Sequence, residues 1–277
     1  MFARLIVRLV LSALAVAMLA GTARAAKPAA KPVIVLVHGA FADATGWQRV
    51  IPILQRRGYE VIAVQNPLES LAGDVETTKR LVDAQTGPMV LVGHSYGGAV
   101  ITGVAAGNPN VKALVFLAAI APEAGEAVNA FLEKYPSSLD NALRPDSAGF
   151  LFVDRAKFRS VFAADLSAVE AAVAAATQKP INGGAFAASV PQAAWKTIPS
   201  WYLVSRQDQA LNPDLERFYA KRMGAHTTEI NASHVAFISH PREVAQLIEQ
   251  AAISSSGSGG EATRARMKSA RRLPDVP

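Results

Sequence analysis

The feature that most constrains the fold is an alternation. Short runs of Val, Ile and Leu are each followed by a stretch with apolar residues at helical spacing. The apolar runs are VIVLVH (33–38), YEVIAV (59–64), MVLVG (89–93), VKALVFLA (111–118), SWYLVS (200–205) and TTEI (227–230). Between them, 46–58, 71–84 and 95–106 read as helices, with Ser70 placed to cap the second. Further helices are expected from Asn212-Pro213 and after Pro241. Nearly continuous apolar runs fit strands of a parallel sheet covered on both faces. The expected fold is therefore α/β, with a mostly parallel central sheet and helices on both faces.

The rhythm breaks between residues 122 and 198. This stretch is rich in Ala and mostly helix-like, and Ser167 and Glu170 have capping-box spacing. Lys179 to Phe186 reads as loop. An excursion of about 75 residues between strands of a regular sheet is expected to form a helical cap over one end.

Residues 1–25 have the form of a secretory signal peptide. Arg4 and Arg8 precede an apolar run too short for a comfortable membrane span, and Ala23-Arg24-Ala25 resembles a cleavage site. A domain over 26–253 and a disordered basic tail over 254–277 complete the expected layout, with export to a bacterial periplasm or beyond. No stable membrane anchor is expected after cleavage. The chain has no Cys, which excludes disulfides and a thiol nucleophile. Its net charge of +6 belongs to its ends, because residues 32–253 carry 18 basic and 20 acidic side chains. A basic face for nucleic acid is not indicated.

Gly93-His94-Ser95-Tyr96-Gly97 closes the third apolar run and opens a helix. That is the setting of a nucleophile elbow, where glycines two residues either side of Ser95 leave room for a strained turn. A serine hydroxyl needs a base. Of His38, His94, His226, His234 and His240, His234 is the candidate, because it follows the last expected strand, where strand ends gather around the crevice. Asp208, after the preceding strand, is expected to orient it. Asp214 is the rival, but Asn212-Pro213-Asp214 reads as a helix cap and first turn. Expected oxyanion donors are the amide of Tyr96 and that of Ala40 or Phe41. Phe41, Tyr96, Phe186 and Trp195 are candidates for an apolar substrate pocket.

The segments VLVHGAFADATGW, GHSYGG, the Asp208 stretch and ASHVAFISHPREV together resemble the α/β-hydrolase superfamily across roughly 33–253. The resemblance is greatest to the small branch of plant methylesterases and hydroxynitrile lyases and to exported bacterial relatives. It implies the α/β-hydrolase fold, ester hydrolysis through Ser95, and no metal or organic cofactor. The lyases of this branch typically carry Thr where Gly39 stands and Lys directly after the catalytic His, where Val235 stands, so ester hydrolysis is favoured over cyanohydrin cleavage. The expected reaction is hydrolysis of a small or medium apolar carboxylic ester through an acyl-enzyme. A non-catalytic ligand-binding protein and, behind it, a hydroxynitrile-type lyase are the alternatives. Oligomeric state is not legible.

Overall fold

The computed structural model describes residues 30–255. The expected signal peptide and the chain beyond Ser255 lie outside them. In chain order the strands are β1 (Val33–Val37), β2 (Val61–Val64), β3 (Met89–His94), β4 (Val111–Leu117), β5 (Leu143–Pro145), β6 (Phe150–Val153), β7 (Ile181–Asn182), β8 (Ser200–Ser205) and β9 (His226–Ile230). The helices are α1 (Ile51–Arg56), α2 (Leu71–Asp83), α3 (Gly97–Ala105), α4 (Arg155–Phe162), α5 (Ala168–Thr177), α6 (Gly184–Ala187), α7 (Pro213–Met223), α8 (Ala236–Ser239) and α9 (Pro241–Ser255). Among the described residues, no helix is long and apolar enough to cross a membrane.

Six strands form one parallel sheet in the order β2-β1-β3-β4-β8-β9. Strands β3 and β8 are buried along their whole length, as unbroken apolar runs require, whereas β9 is an exposed edge. The chain leaves β1 in one direction to make β2 and returns on the other side to make β3. That reversal makes the carboxyl ends of β1 and β3 the switch point of the sheet, the place where sites gather in open α/β folds. Register brings the two ends level, with Val37 opposite Gly93. Helix α9 turns Val244, Leu247, Ile248 and Ala251 into the core. Helix α3 is buried on nearly every side, so its sequence is apolar throughout.

Local chemistry accounts for the helix ends. Ser70 accepts from the Gly73 amide, Ser167 and Glu170 complete the capping box of α5, and Asn212 caps α7 with Pro213 in its first turn. The single helix expected over 46–58 is instead a 3₁₀ turn, Ala44–Arg49, followed by α1. Pro52 explains the break. It has no amide hydrogen and its ring opposes a helical carbonyl four residues earlier, so it is accommodated only in a first turn. The insertion departs further from expectation. Its helices α4, α5 and α6 accompany an antiparallel sheet, β5-β6-β7, that includes residues read as loop. The β5–β6 hairpin is set by Asp146, whose side chain accepts from the amides of Ala148 and Phe150 at 2.8 and 2.9 Å.

Helix α3 begins hard against the end of β1. A Cβ on Gly97 would lie 2.6 Å from the Val37 carbonyl oxygen and 2.7 Å from that of His38. Both obstacles are backbone, so strand and helix would have to separate. Gly97→Ala is expected to destabilise the protein by about 1–3 kcal/mol, read as a lower urea midpoint at unchanged slope.

Candidate active site

Ser95 occupies the turn between β3 and α3 with φ 52°, a left-handed conformation unusual for a residue with a side chain. The surroundings hold it there. Its amide donates to the Leu117 carbonyl at 3.2 Å, and its own carbonyl accepts from Gly98 and Ile120, both at 3.0 Å. Strain persists where the fold over-determines it, and such places are enriched in functional sites. Ser95 is partly exposed between buried neighbours. Its hydroxyl has no hydrogen-bond partner among the described residues.

The loop after β1 packs directly on this turn. A Cβ on Gly39 would come within 2.7 Å of the Ser95 Cβ and 2.9 Å of the His94 carbonyl oxygen. The backbone of that loop is therefore as near to Ser95 as it can be. Phe41 follows in a second left-handed conformation, φ 61°. The amides of Ala40, Phe41 and Tyr96 have no acceptor among the described residues.

Asp208 and His234 come together from the loops after β8 and β9. His234 Nδ1 and Asp208 Oδ2 are 2.5 Å apart, and both side chains are buried. The other carboxylate oxygen accepts from the amides of Ala210 and Leu211 at 2.7 and 2.8 Å. With one oxygen held by the loop, the other is aimed at the imidazole, which leaves Nε2 as its working nitrogen. The Phe162 ring lies 4.7 Å from the His234 ring, edge to face. The rival acid, Asp214, stands at the exposed start of α7 and pairs with Arg217.

The remaining histidines have other tasks. His94 Nε2–H donates to the His234 carbonyl at 2.9 Å, so the residue beside Ser95 fixes the backbone of the opposing loop. Burial, reinforced by His234, pushes the His94 pKa well below the usual histidine value and keeps the ring neutral. His38 donates from Nδ1 to its neighbour's carbonyl and accepts from the Asn66 amide at 3.0 Å, and burial lowers its pKa as well. His226 is exposed on β9 against Trp201, and His240 bonds Ser239 just before α9.

Three supporting acids escaped the sequence reading. Asp74 is fully buried and receives the Tyr96 hydroxyl at 2.7 Å and the Leu68 amide at 2.8 Å. Asp165, in the insertion, accepts from both the amide and the hydroxyl of Ser233, next to His234. Glu216 accepts the Ser205 amide at 2.9 Å from within the apolar face of α7. Glu216 and Asp74 left a trace in the sequence, each as a charge on the buried stripe of its helix, Glu216 with Leu215, Tyr219 and Ala220 and Asp74 with Leu71, Thr78 and Val82.

A cavity of about 250 Å³ lies between the 3₁₀ turn and helices α4 and α5. It reaches the site through Phe162, whose ring lies against His234, and Val235 rather than through Ser95 or His234 themselves. Phe41, Phe158, Phe162, Val235 and Phe237 line it. Of the four residues expected in a substrate pocket, only Phe41 is among its walls. Tyr96 is fully buried and held by Asp74, with Phe186 packed edge-on against its ring at 5.8 Å. Trp195 donates its indole N–H to the Pro122 carbonyl and stacks near the Arg222 guanidinium, which makes it a support beneath the insertion. Among the described residues, no cluster of three His, Asp or Glu could hold a metal ion.

The model of the Alpha/beta hydrolase family matches residues 34–247. Over 243 residues the chain is 27% identical to "Probable hydrolase R7" of a Phoma species, covering 80% of this chain and 98% of that protein. It is 30% identical over 124 residues to Methylesterase 2 of Arabidopsis thaliana, covering 38% of this chain and 46% of that protein. The crystal structure of a pyrethroid hydrolase from Sphingobium faniae JZ-2 shares the fold with a TM-score of 0.69 at 24% identity, covering 80% of this chain and 97% of that one.

The Tyr96–Asp74 bond carries its own prediction. Burial raises the Asp74 pKa, against the hydrogen bonds from Leu68 and Tyr96. The native state therefore binds this proton more tightly than the unfolded chain, and stability falls as pH rises from the ordinary aspartate range through the native value. Tyr96→Phe removes a donor to the ionised form. It is expected to cost roughly 1–3 kcal/mol at neutral pH and less in acid, measured by denaturant unfolding at both.

Proposed function

The chain belongs to the alpha/beta hydrolase family, and from that premise we propose that it is a serine esterase acting through an acyl-enzyme. The observation that carries the reading is the buried Asp208–His234 pair, aimed by its loops, opposite a serine held in a left-handed turn. His234 Nε2 takes the proton from Ser95 Oγ as that oxygen bonds to the ester carbonyl carbon. Asp208 holds the imidazole in the tautomer with Nδ1–H and stabilises the imidazolium. The negative charge that forms on the carbonyl oxygen is met by the Tyr96 amide and by that of Ala40 or Phe41. As the intermediate collapses, the alkoxide leaves with the proton from His234. Water then repeats the sequence on the acyl-enzyme and releases the acid and Ser95. The missing Ser95–His234 hydrogen bond is compatible with this, since such bonds commonly close only when substrate is bound.

The adjoining cavity favours an apolar group of small to medium size. Arg49 and Glu170 on its wall pair with each other, so neither charge is left to select an ionic substrate. Gly39, packed against Ser95, places no side-chain hydroxyl beside the nucleophile where the lyases typically carry Thr, which favours hydrolysis over lyase chemistry.

Mass spectrometry after fluorophosphonate treatment tests the reading. A single adduct on Ser95, absent from His234→Ala, is the expected result. Ser95→Ala should lower kcat on a responsive apolar ester by on the order of 10⁴-fold or more. Full turnover by Ser95→Ala would end the proposal.

A further inference from the structure

Behind the Asp208–His234 pair lies a second buried carboxyl that the reaction above does not use. Glu216 is fully buried on α7. Its Oε2 accepts the Ser205 amide at 2.9 Å, and the Asp208 amide donates to the Ser205 carbonyl at 3.1 Å. One residue, Ser205, thus anchors both acids at the end of β8. The second Glu216 oxygen, Oε1, is buried with no donor to receive, and the anchoring of both residues on Ser205 brings the carboxyl close enough to that of Asp208 for the two to interact directly.

Two buried carboxylates in contact cannot both be charged. The hydrogen bonds decide which one holds the proton. Asp208 is surrounded by donors: His234 Nδ1–H and two loop amides. Glu216 has one donor and an oxygen left over. A proton on Oε1 removes the repulsion and supplies the missing bond at once. Building on the esterase reading, we infer that Glu216 is a neutral carboxylic acid that donates from Oε1 to Asp208, and so acts as the positioning residue that keeps the Asp208 carboxylate aimed at His234.

The other charged and titratable groups facing Glu216 do not offer the missing bond. Arg217, on the same helix, is drawn outward by Asp214 and Glu229. Tyr202, on β8, exchanges hydrogen bonds with the backbone of Ala119. Burial, then the charge of Asp208, drives the Glu216 pKa well above the usual glutamate value. The sign of the linkage follows. The native protein holds a proton that the unfolded chain releases in the ordinary glutamate range, so this group withdraws stability as pH rises from that range toward the native value.

Glutamine copies the proposed state, with an N–H for Asp208 and an oxygen for the Ser205 amide. Three measurements on the full chain use it. At pH 7 the infrared difference spectrum, wild type minus Glu216→Gln, is expected to contain a protonated-carboxyl C=O band. The Tm of Glu216→Gln should gain on wild type as pH is raised from 5 to 8. Glu216→Leu should lose ten-fold or more in kcat with KM within two-fold, and Glu216→Gln should recover most of that loss. Absence of the band, a Tm difference independent of pH, or equal impairment of the Leu and Gln variants would overturn the assignment. The first two measurements need no turnover, so they stand apart from the Ser95→Ala experiment that tests the esterase reading. They also decide the matter if Glu216→Leu does not fold.

Discussion

Backbone packed on backbone at the ends of β1 and β3 is the constraint on which the rest depends. Gly97 meets the carbonyls of Val37 and His38, and Gly39 meets the Cβ of Ser95. These approaches force the chain to climb steeply out of β3, which places Ser95 in its left-handed turn and points the start of α3 at the crevice. The same closeness sets the amides of the β1 loop beside the serine. Position is thus achieved mainly by what is absent, since any side chain at these glycines would move the two strand ends apart.

Around that rigid centre the loops after β8 and β9 are held by polar groups in an apolar setting. Each hydrogen bond there is worth more than at the surface, and each unmade one costs more. Asp208 binds its own loop with one oxygen and His234 with the other, and His94 secures the carbonyl of His234 from the opposite side. The Phe162 ring, from the insertion, covers the imidazole and helps exclude water. Precision at the imidazole therefore draws on three separate segments, and none of them supplies it alone.

What could be read from the sequence followed the range of the interactions involved. The six parallel strands, the caps at Ser70, Ser167 and Asn212, and the meeting of Asp208 with His234 all rest on local pattern or on the order of strand ends. The small sheet of the insertion did not, because β5, β6 and β7 are too short to show a period. Trp195 reads as a pocket residue because it is aromatic, but its place is set by the Pro122 carbonyl and Arg222, both distant in the chain. The roles of Asp74, Asp165 and Glu216 are likewise set by partners outside their own segments. A buried acid is identified by its donors, and those of Asp165 and Asp74 include Ser233 and Tyr96, well removed in sequence.

The grip of Asp165 on Ser233 also bears on how the insertion can diverge. Insertions over such crevices vary freely when they merely cover them. This one is fastened to the residue preceding His234, and through Arg49, which holds both Glu170 and the Ile238 carbonyl, to the helix just beyond it. Swapping the whole insertion for another would thus disturb the imidazole as well as the roof. Exchange of cavity-facing side chains such as Phe158 leaves those fastenings in place. Relining the chamber therefore disturbs the catalytic imidazole less than rebuilding its cover.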